Sequence, residues 1–270
     1  KDNNYLEYLD NGLDGLILPL EKFSVDYFKY YNISDIREYK NSTDKLCFVV
    51  INKMIFNNEL NNLFKILKEL ESLKVDGVLF YDLAVLNFVR ENNLNLNLIY
   101  NGTHMVTNGD TINLYYDLGV KGAYLSNEIT KDEILNIRSN TKSDLFILLF
   151  GNPVVAMSRR NLLTSYFANK SKSKRDLITI REPKSGQEFL VKEDSNGTTF
   201  FYNKRLNLSN VYKELGDLGI NYGIIEQADY SDKKYKKLIK VFVNFNKKKI
   251  DELAGHNRGF LYRETIYKVK

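Results

Sequence analysis

The sequence predicts an α/β fold, a (β/α)8 TIM-like barrel, and three observations predict it. They are short continuous apolar runs, segments of helical period and crossover length between them, and turn or cap residues near their junctions. Parallel strands covered by helices are buried on both faces, so they read as unbroken apolar runs rather than as alternating ones.

The chain opens in a helical pattern at Tyr5, Leu6, Tyr8 and Leu9. Six strands are then expected at 15–20 (GLILPL), 46–51 (LCFVVI), 76–81 (DGVLFY), 96–100 (LNLIY), 121–126 (KGAYLS) and 145–150 (LFILLF). Between the second and third, Leu60, Leu63, Phe64, Leu67, Leu70 and Leu73 keep to one helix face. Asn101-Gly102 and Asn108-Gly109 mark turns, and Thr130 with Glu133 three residues on reads as a helix N-cap. After 150 the beat breaks, and 158–185 is largely polar and basic. Runs at 189–194 (FLVKED) and 198–203 (TTFFYN) flank Ser195-Asn196-Gly197, the pattern of a hairpin with a tight turn. A helical pattern at 208–218, capped by Ser209, leads to a seventh barrel strand at 220–226 (INYGIIE) and a last helix. The expected organisation is one barrel domain over 1–270 with a hairpin insertion at about 186–205, before the last strand. The first of eight strands is lost or lies upstream of Lys1.

Hydrophobic residues at 43%, charged residues at 27% and three prolines describe a globular chain rather than a disordered one. The single cysteine, Cys47, permits neither a disulfide framework nor a four-cysteine metal or cluster site within the chain, and it suits a reducing, cytoplasmic compartment. No apolar run approaches the roughly 20 residues of a membrane span and no leader opens the chain, so neither insertion nor secretion is expected. Net charge is +5, with basic clusters at 170–175 (KSKSKR), 233–240 (KKYKKLIK) and 247–249. Such clusters suit phosphate backbones, while the general abundance of Lys, Asn, Ile and Tyr gives the plainer reading of a solvated lysine face. There is no Gly-x-Ser-x-Gly elbow and no phosphate-binding glycine loop.

Barrels of this kind carry their functional groups at the C-terminal ends of the strands, here Asn52, Asp82, Asn101, Thr103, His104, Ser126, Glu128, Gly151 and Glu226. Three carboxylates are candidate catalytic residues: Glu128, Glu193 and Glu226. Glu128 can point into the barrel mouth or stabilise a helix start. Glu226 ends the last strand, where it can act on a substrate or pair with Arg205. Glu193 and Asp194 suit acid–base work or a hard metal, but neighbours in a strand face opposite sides. Candidate binding residues are His104, Asn52, Asp82, Lys192, Arg160, Lys174 and Arg175, and no metal-ligand set is expected. His104 serves as base, ligand or hydrogen-bonded structural residue. Cys47, inside an apolar run, reads as inert core.

Several segments, taken in order and spacing, resemble peptidase family U32, the collagenase-like proteases. They are NGLDGLIL (11–18), VVINKMIFNNEL (49–60), VDGVLFYDLAVLNFVRE (75–91), YNGTHMVTN (100–108), LSNEITKDEI (125–134), FLVKEDSNGTTFFYNKRLNL (189–208) and HNRGF (256–260). The resemblance implies a barrel-like fold and RNA modification: hydroxylation of a tRNA wobble uridine or a ribosomal cytidine, with an iron-sulfur cluster held by cysteines. The block at 151–166 (GNPVVAMSRRNLLTSY) is similar to the family's reactive-site block with its cysteines replaced. Phe150 stands for a histidine, Val154 and Asn161 for cysteines, and Arg159 for a glycine. Arg205, Asn207, Ile224, Gln227 and Ala228 also depart from the family pattern. A cluster needs thiolates, so no cofactor is expected here. What the resemblance then implies is a cluster-less paralogue, a pseudoenzyme assisting 5-hydroxylation of the tRNA wobble uridine by binding tRNA or a cluster-bearing relative. The rivals are a peptidase or other hydrolase, which requires a polar pocket holding Glu128, Glu193 or Glu226, and a non-catalytic scaffold.

Overall fold

The computed structural model describes residues 6–263. Six strands pair in parallel in chain order: β1 (Gly15–Pro19), β2 (Leu46–Ile51), β3 (Gly77–Phe80), β4 (Leu98–Tyr100), β5 (Gly122–Tyr124) and β6 (Asp144–Gly151). Their crossovers carry α1 (Leu6–Leu9) ahead of β1, then α2 (Ile33–Ser42), α3 (Leu60–Ser72), α4 (Leu83–Glu91), α5 (Gly109–Asp117) and α6 (Lys131–Asn140). The helical pattern at Tyr5 falls outside the described residues, and Leu6 and Leu9 bound α1. Leu63, Leu67 and Leu70 on α3 are wholly buried, the face expected from their spacing. Asn108 caps α5, and Thr130 with Glu133 forms a full capping box on α6.

The hairpin expected before the last strand is the centre of something larger. After β6 the chain builds a four-stranded antiparallel sheet from β7 (Val154–Ser158), β8 (Leu177–Arg181), β9 (Glu188–Asp194) and β10 (Gly197–Tyr202), in the order β7-β10-β9-β8, with α7 (Leu162–Asn169) between β7 and β8. β9 and β10 form the hairpin, with Asp194 opposite Gly197 across the Ser195-Asn196 turn. Leu163, Phe167 and Val191 make a small core between α7 and this sheet.

Gly197 has φ near +129°, and a β-carbon there would overlap the Ser158 carbonyl oxygen of β7. Gly197→Ala is therefore expected to cost ~2 kcal/mol or more, read as a lower thermal midpoint. An unchanged midpoint would show that β7 can move away freely.

The chain then returns through β11 (Leu206–Asn207), antiparallel to the end of β6, and α8 (Tyr212–Asp217), to β12 (Tyr222–Ile225), parallel to β6. The helix expected over 208–218 is shorter than its pattern: it starts at Tyr212, its N-cap Val211 gives no side-chain bond, and Ser209 does not cap it. The strand pairing of Leu206 and Asn207 with β6 holds the preceding residues extended. Helices α9 (Asp232–Val243) and α10 (Lys247–Ala254) follow. Among the described residues no helix is long and apolar enough to cross a membrane.

The seven parallel strands curl. Phe48 of β2 meets Phe146 of β6 at 5.4 Å and Tyr222 of β12 at 5.3 Å, contacts across several intervening strands that a flat sheet does not allow. The curl stops short of closure. β1 and β12 form no ladder with each other among the described residues, and residues of both line a cavity of about 190 Å3. The fold is an incomplete (β/α) barrel, open along the seam between β1 and β12.

Candidate functional site

The insertion sheet roofs the barrel mouth. Along β9 and β10 alternate residues face opposite ways, so Val191, Glu193, Thr198 and Phe200 turn to α7 while Lys192, Asp194, Thr199 and Phe201 turn to the loop between β1 and α2. That loop is pinned from both sides. From the barrel, Asn52 at the end of β2 accepts from the Val25 amide at 2.9 Å and donates to the Val25 carbonyl, and Ser24 donates to the Val50 carbonyl at 2.6 Å. From the roof, the Asn196 amide donates to the Ser24 carbonyl at 2.9 Å, and the Lys192 ammonium donates to the Tyr27 carbonyl at 2.7 Å. Phe28 packs on Phe201, with ring centroids 5.5 Å apart.

The pinned loop presents Asp26, whose backbone sits in the left-handed region at φ 72°. One oxygen of Asp26 accepts from the Thr199 hydroxyl at 2.9 Å. Glu226, at the end of β12, lines the same two recesses as Asp26, one of about 190 Å3 and one of about 50 Å3. Gly151 makes room for it: a β-carbon there would stand 2.5 Å from the Glu226 carboxyl oxygen. Glu226 is half-buried where it lines the cleft. Burial first, and the charge of Asp26 second, push its pKa up to about 8. Burial likewise raises Asp26 to about 6, the Thr199 hydrogen bond opposing it and Asp194 adding to it. The two carboxyls are thus set apart, Glu226 keeping its proton to higher pH than Asp26, and between the two transitions a donor stands beside an acceptor.

Around the pair stand Asn52, Asn101, Thr103, Tyr124, Asn127 and Asn152. The amide of Asn152 donates to the carbonyl of Tyr202 at 2.8 Å, which fixes its orientation and leaves its oxygen buried without a partner. Strand ends that the sequence marks as a mouth thus enclose a polar pocket.

The other sequence-predicted residues are distributed as follows. Glu226, Asn52, Asn101 and Thr103 share the cleft. Glu128 pairs instead with His104 at 3.6 Å beside the mouth, and His104 Nε2 is buried without a partner. Asp82 caps α4 through the Ala84 amide and holds the Ile55 amide. Lys192 is tied to Asp194 at 2.6 Å and lies behind Asp26 rather than in the cleft. Burial would raise Asp194, but the Lys192 bond holds its carboxyl below the usual range.

Glu193 turns away from the cleft. It is 2% exposed and accepts from the Leu163 and Thr164 amides at the start of α7, from the hydroxyls of Thr164 and Thr198, and from Lys174 at 3.2 Å. Arg160 and Arg175 are exposed on the insertion. Arg205 pairs with Asp229 and stacks on Tyr230, not with Glu226.

Asp26 and Asn152 are the site residues that the sequence reasoning passes over. Asp26 is the one acid inside an aromatic-rich run (KFSVDYFKYY), and Asn152 directly follows a marked strand end. Cys47 is buried in β2, where burial pushes its thiol up to about 12. Phe150, in the place of the resemblance's histidine, is buried against Tyr230 and Phe242.

The profile of peptidase family U32 fits residues 4–267. A tRNA hydroxylation protein P2 of Bacillus subtilis (strain 168) is 25% identical over 248 residues, covering 82% of this chain and 80% of that protein. A tRNA hydroxylation protein P of Haemophilus influenzae is 28% identical over 140 residues, 52% of this chain and 30% of that one. Among solved structures, a tryptophan synthase complex from Pyrococcus furiosus aligns over 94% of this chain and 91% of that chain, at 13% identity and a TM-score of 0.49.

Proposed function

The chain belongs to peptidase family U32, and from that premise we propose that it serves tRNA modification in the cytoplasm without carrying an iron-sulfur cluster itself, by binding tRNA or a cluster-bearing relative. The donor set supports the second half of this reading. A cluster held in the family's way needs thiolates, whereas Val154 and Asn161 stand at two of those positions and Cys47 is a buried, protonated thiol in β2. These residues do not fit the group.

The observation that carries the RNA half is the exposed basic segment 170–175, which follows α7 at the rim of the roof. Lys174 is engaged by Glu193 and Asp176, whereas Lys170, Lys172 and Arg175 make no ion pair among the described residues. Three cations free of carboxylates are available to phosphates.

Purified protein is expected to bind tRNA with an affinity that falls as salt rises. Replacing Lys170, Lys172 and Arg175 together by alanine should lower the slope of log affinity against log salt by about 2. Absent or salt-independent binding at low ionic strength overturns the reading. Deletion of the gene, followed by mass spectrometry of tRNA nucleosides, is expected to lower 5-hydroxyuridine derivatives. The Asp26 and Glu226 pair favours a second, hydrolytic reading, because a protonated carboxyl beside an ionised one suits general acid–base work. Turnover of peptides or gelatin that Glu226→Gln abolishes would put that reading first.

A further inference from the structure

The larger cavity is rich in hydrogen-bond acceptors that the protein leaves unused. The Asn152 oxygen is buried without a partner, and its orientation is fixed by the carbonyls its amide group serves. The Glu226 carboxyl group makes no hydrogen bond or ion pair among the described residues, its backbone amide alone being engaged, by the Phe150 carbonyl, and the Thr199 hydroxyl occupies only one oxygen of Asp26. Several of the cavity's own donors are committed. Tyr8 donates to Asp232, Tyr235 to the Ile225 carbonyl, and Gln227 to Tyr230 and Asp232.

The walls between these groups are aromatic and aliphatic: Tyr27, Phe28, Tyr31, Phe201, Leu16 and Ile17. An aromatic face attracts a cation, and the Lys29 ammonium already lies 5.4 Å from the Tyr31 ring centroid at this cavity.

We propose that this cavity, in the open seam between β1 and β12, binds a primary organic amine as its ammonium ion, with the head against Asp26, Glu226 and Asn152 and the hydrocarbon part along the seam. Three N–H donors meet three residues that offer acceptors, and the aromatic walls take the rest of the charge. A volume of about 190 Å3 holds about six water molecules, too much room for a bare metal ion. Among the described residues no group of three metal-ligating side chains exists. Once Glu226 gives up its proton, two carboxylates at one end oppose a ligand that is itself an anion.

The idea stands apart from the tRNA reading and draws nothing from it. It carries a coupling to pH, because the ligand's charge takes the place of the proton on Glu226. The other titratable or charged groups facing Glu226 are Asp26, Tyr27 and Tyr31 with Lys29 from the loop, Tyr8 from α1, Tyr235 from α9 and, in the smaller recess, Tyr124 of β5. Burial holds the phenols of Tyr8, Tyr27, Tyr124 and Tyr235 above their ordinary range, so they stay neutral where Glu226 and Asp26 titrate.

The test is calorimetric titration of the full chain with hexylamine, hexan-1-ol and hexanoate at pH 6.5 and pH 8.5, repeated on Glu226→Gln and Asp26→Asn. Hexylamine is expected to bind at least tenfold more tightly than either control, more tightly at the higher pH, and with proton release at pH 6.5. Each variant, shown by circular dichroism to be folded, should lose tenfold or more. Equal binding of hexylamine and hexan-1-ol overturns the proposal. So does no binding of hexylamine at millimolar concentration, or unchanged affinity in the two folded variants.

Discussion

Glu193→Ala is expected to unfold the insertion while leaving the barrel standing. The Glu193 carboxylate accepts from the Leu163 amide at 2.7 Å, the Thr164 amide at 3.2 Å and the Thr198 hydroxyl at 3.2 Å, and it also meets the Thr164 hydroxyl and Lys174. It does what an N-cap does for α7, whose own cap position, Asn161, makes no side-chain bond. Burial would raise its pKa, but these partners hold its carboxyl below the usual range. Truncation strands several donors at a buried site, a loss of ~3 kcal/mol or more. Among the described residues, the insertion's small core of Leu163, Phe167 and Val191 is the buried apolar cluster there to absorb it. Trypsin is expected to cut the 170–175 segment of the variant much faster, while far-UV circular dichroism keeps the barrel's signal. Glu193→Gln, which preserves shape, should fall between the two. Equal cleavage rates in wild type and Glu193→Ala would remove the carboxylate from this role.

Glu226→Gln is expected to flatten the dependence of stability on pH. A carboxyl whose pKa is raised on folding binds a proton that the unfolded chain has already released, so stability declines as pH climbs from the unfolded value to the folded one. For Glu226 that window runs from about 4.3 to about 8, and for Asp26 from about 3.9 to about 6. Below both windows the groups cost nothing; above them the full cost is present. Because the cleft admits some solvent, the Glu226 contribution is on the order of 2 kcal/mol rather than the full value of the shift. Thermal midpoints measured from pH 5 to pH 9 should therefore fall in the wild type and fall much less in Glu226→Gln, the curves diverging most above pH 7. Parallel curves would mean that Glu226 ionises freely in the folded protein.

The seven barrel strands could be read from the sequence because burial on both faces leaves a signal in the residues themselves. LCFVVI and LFILLF contain no polar position to confuse the period. The mouth followed from the strand ends, which is why Glu226, Asn52, Asn101 and Thr103 meet as that rule implies. β7 and β8 escaped for the opposite reason. β8 (LITIR) is a largely exposed edge strand inside a basic stretch, and the four apolar residues of β7 (VVAMS) follow the run of β6 after only two residues, a spacing too short to signal a separate, half-buried strand. The Asn-Gly turn still marked their partners β9 and β10. Asp26 could not be assigned from its neighbours, because Thr199 holds its carboxylate and Lys192 holds the next residue's carbonyl, each more than 160 residues away. Alternation along β9 correctly separated Glu193 from Asp194, but which of the two faced the barrel was decided by α7, and no local pattern records that.

Asp26 hangs from Thr199 of the roof, and the loop that carries it hangs from Lys192 and Asn196. The roof therefore cannot lift away without taking one carboxylate of the cleft with it. One hydrogen bond thus serves two ends: it ties the roof to the loop after β1 and it sets a carboxylate before Glu226.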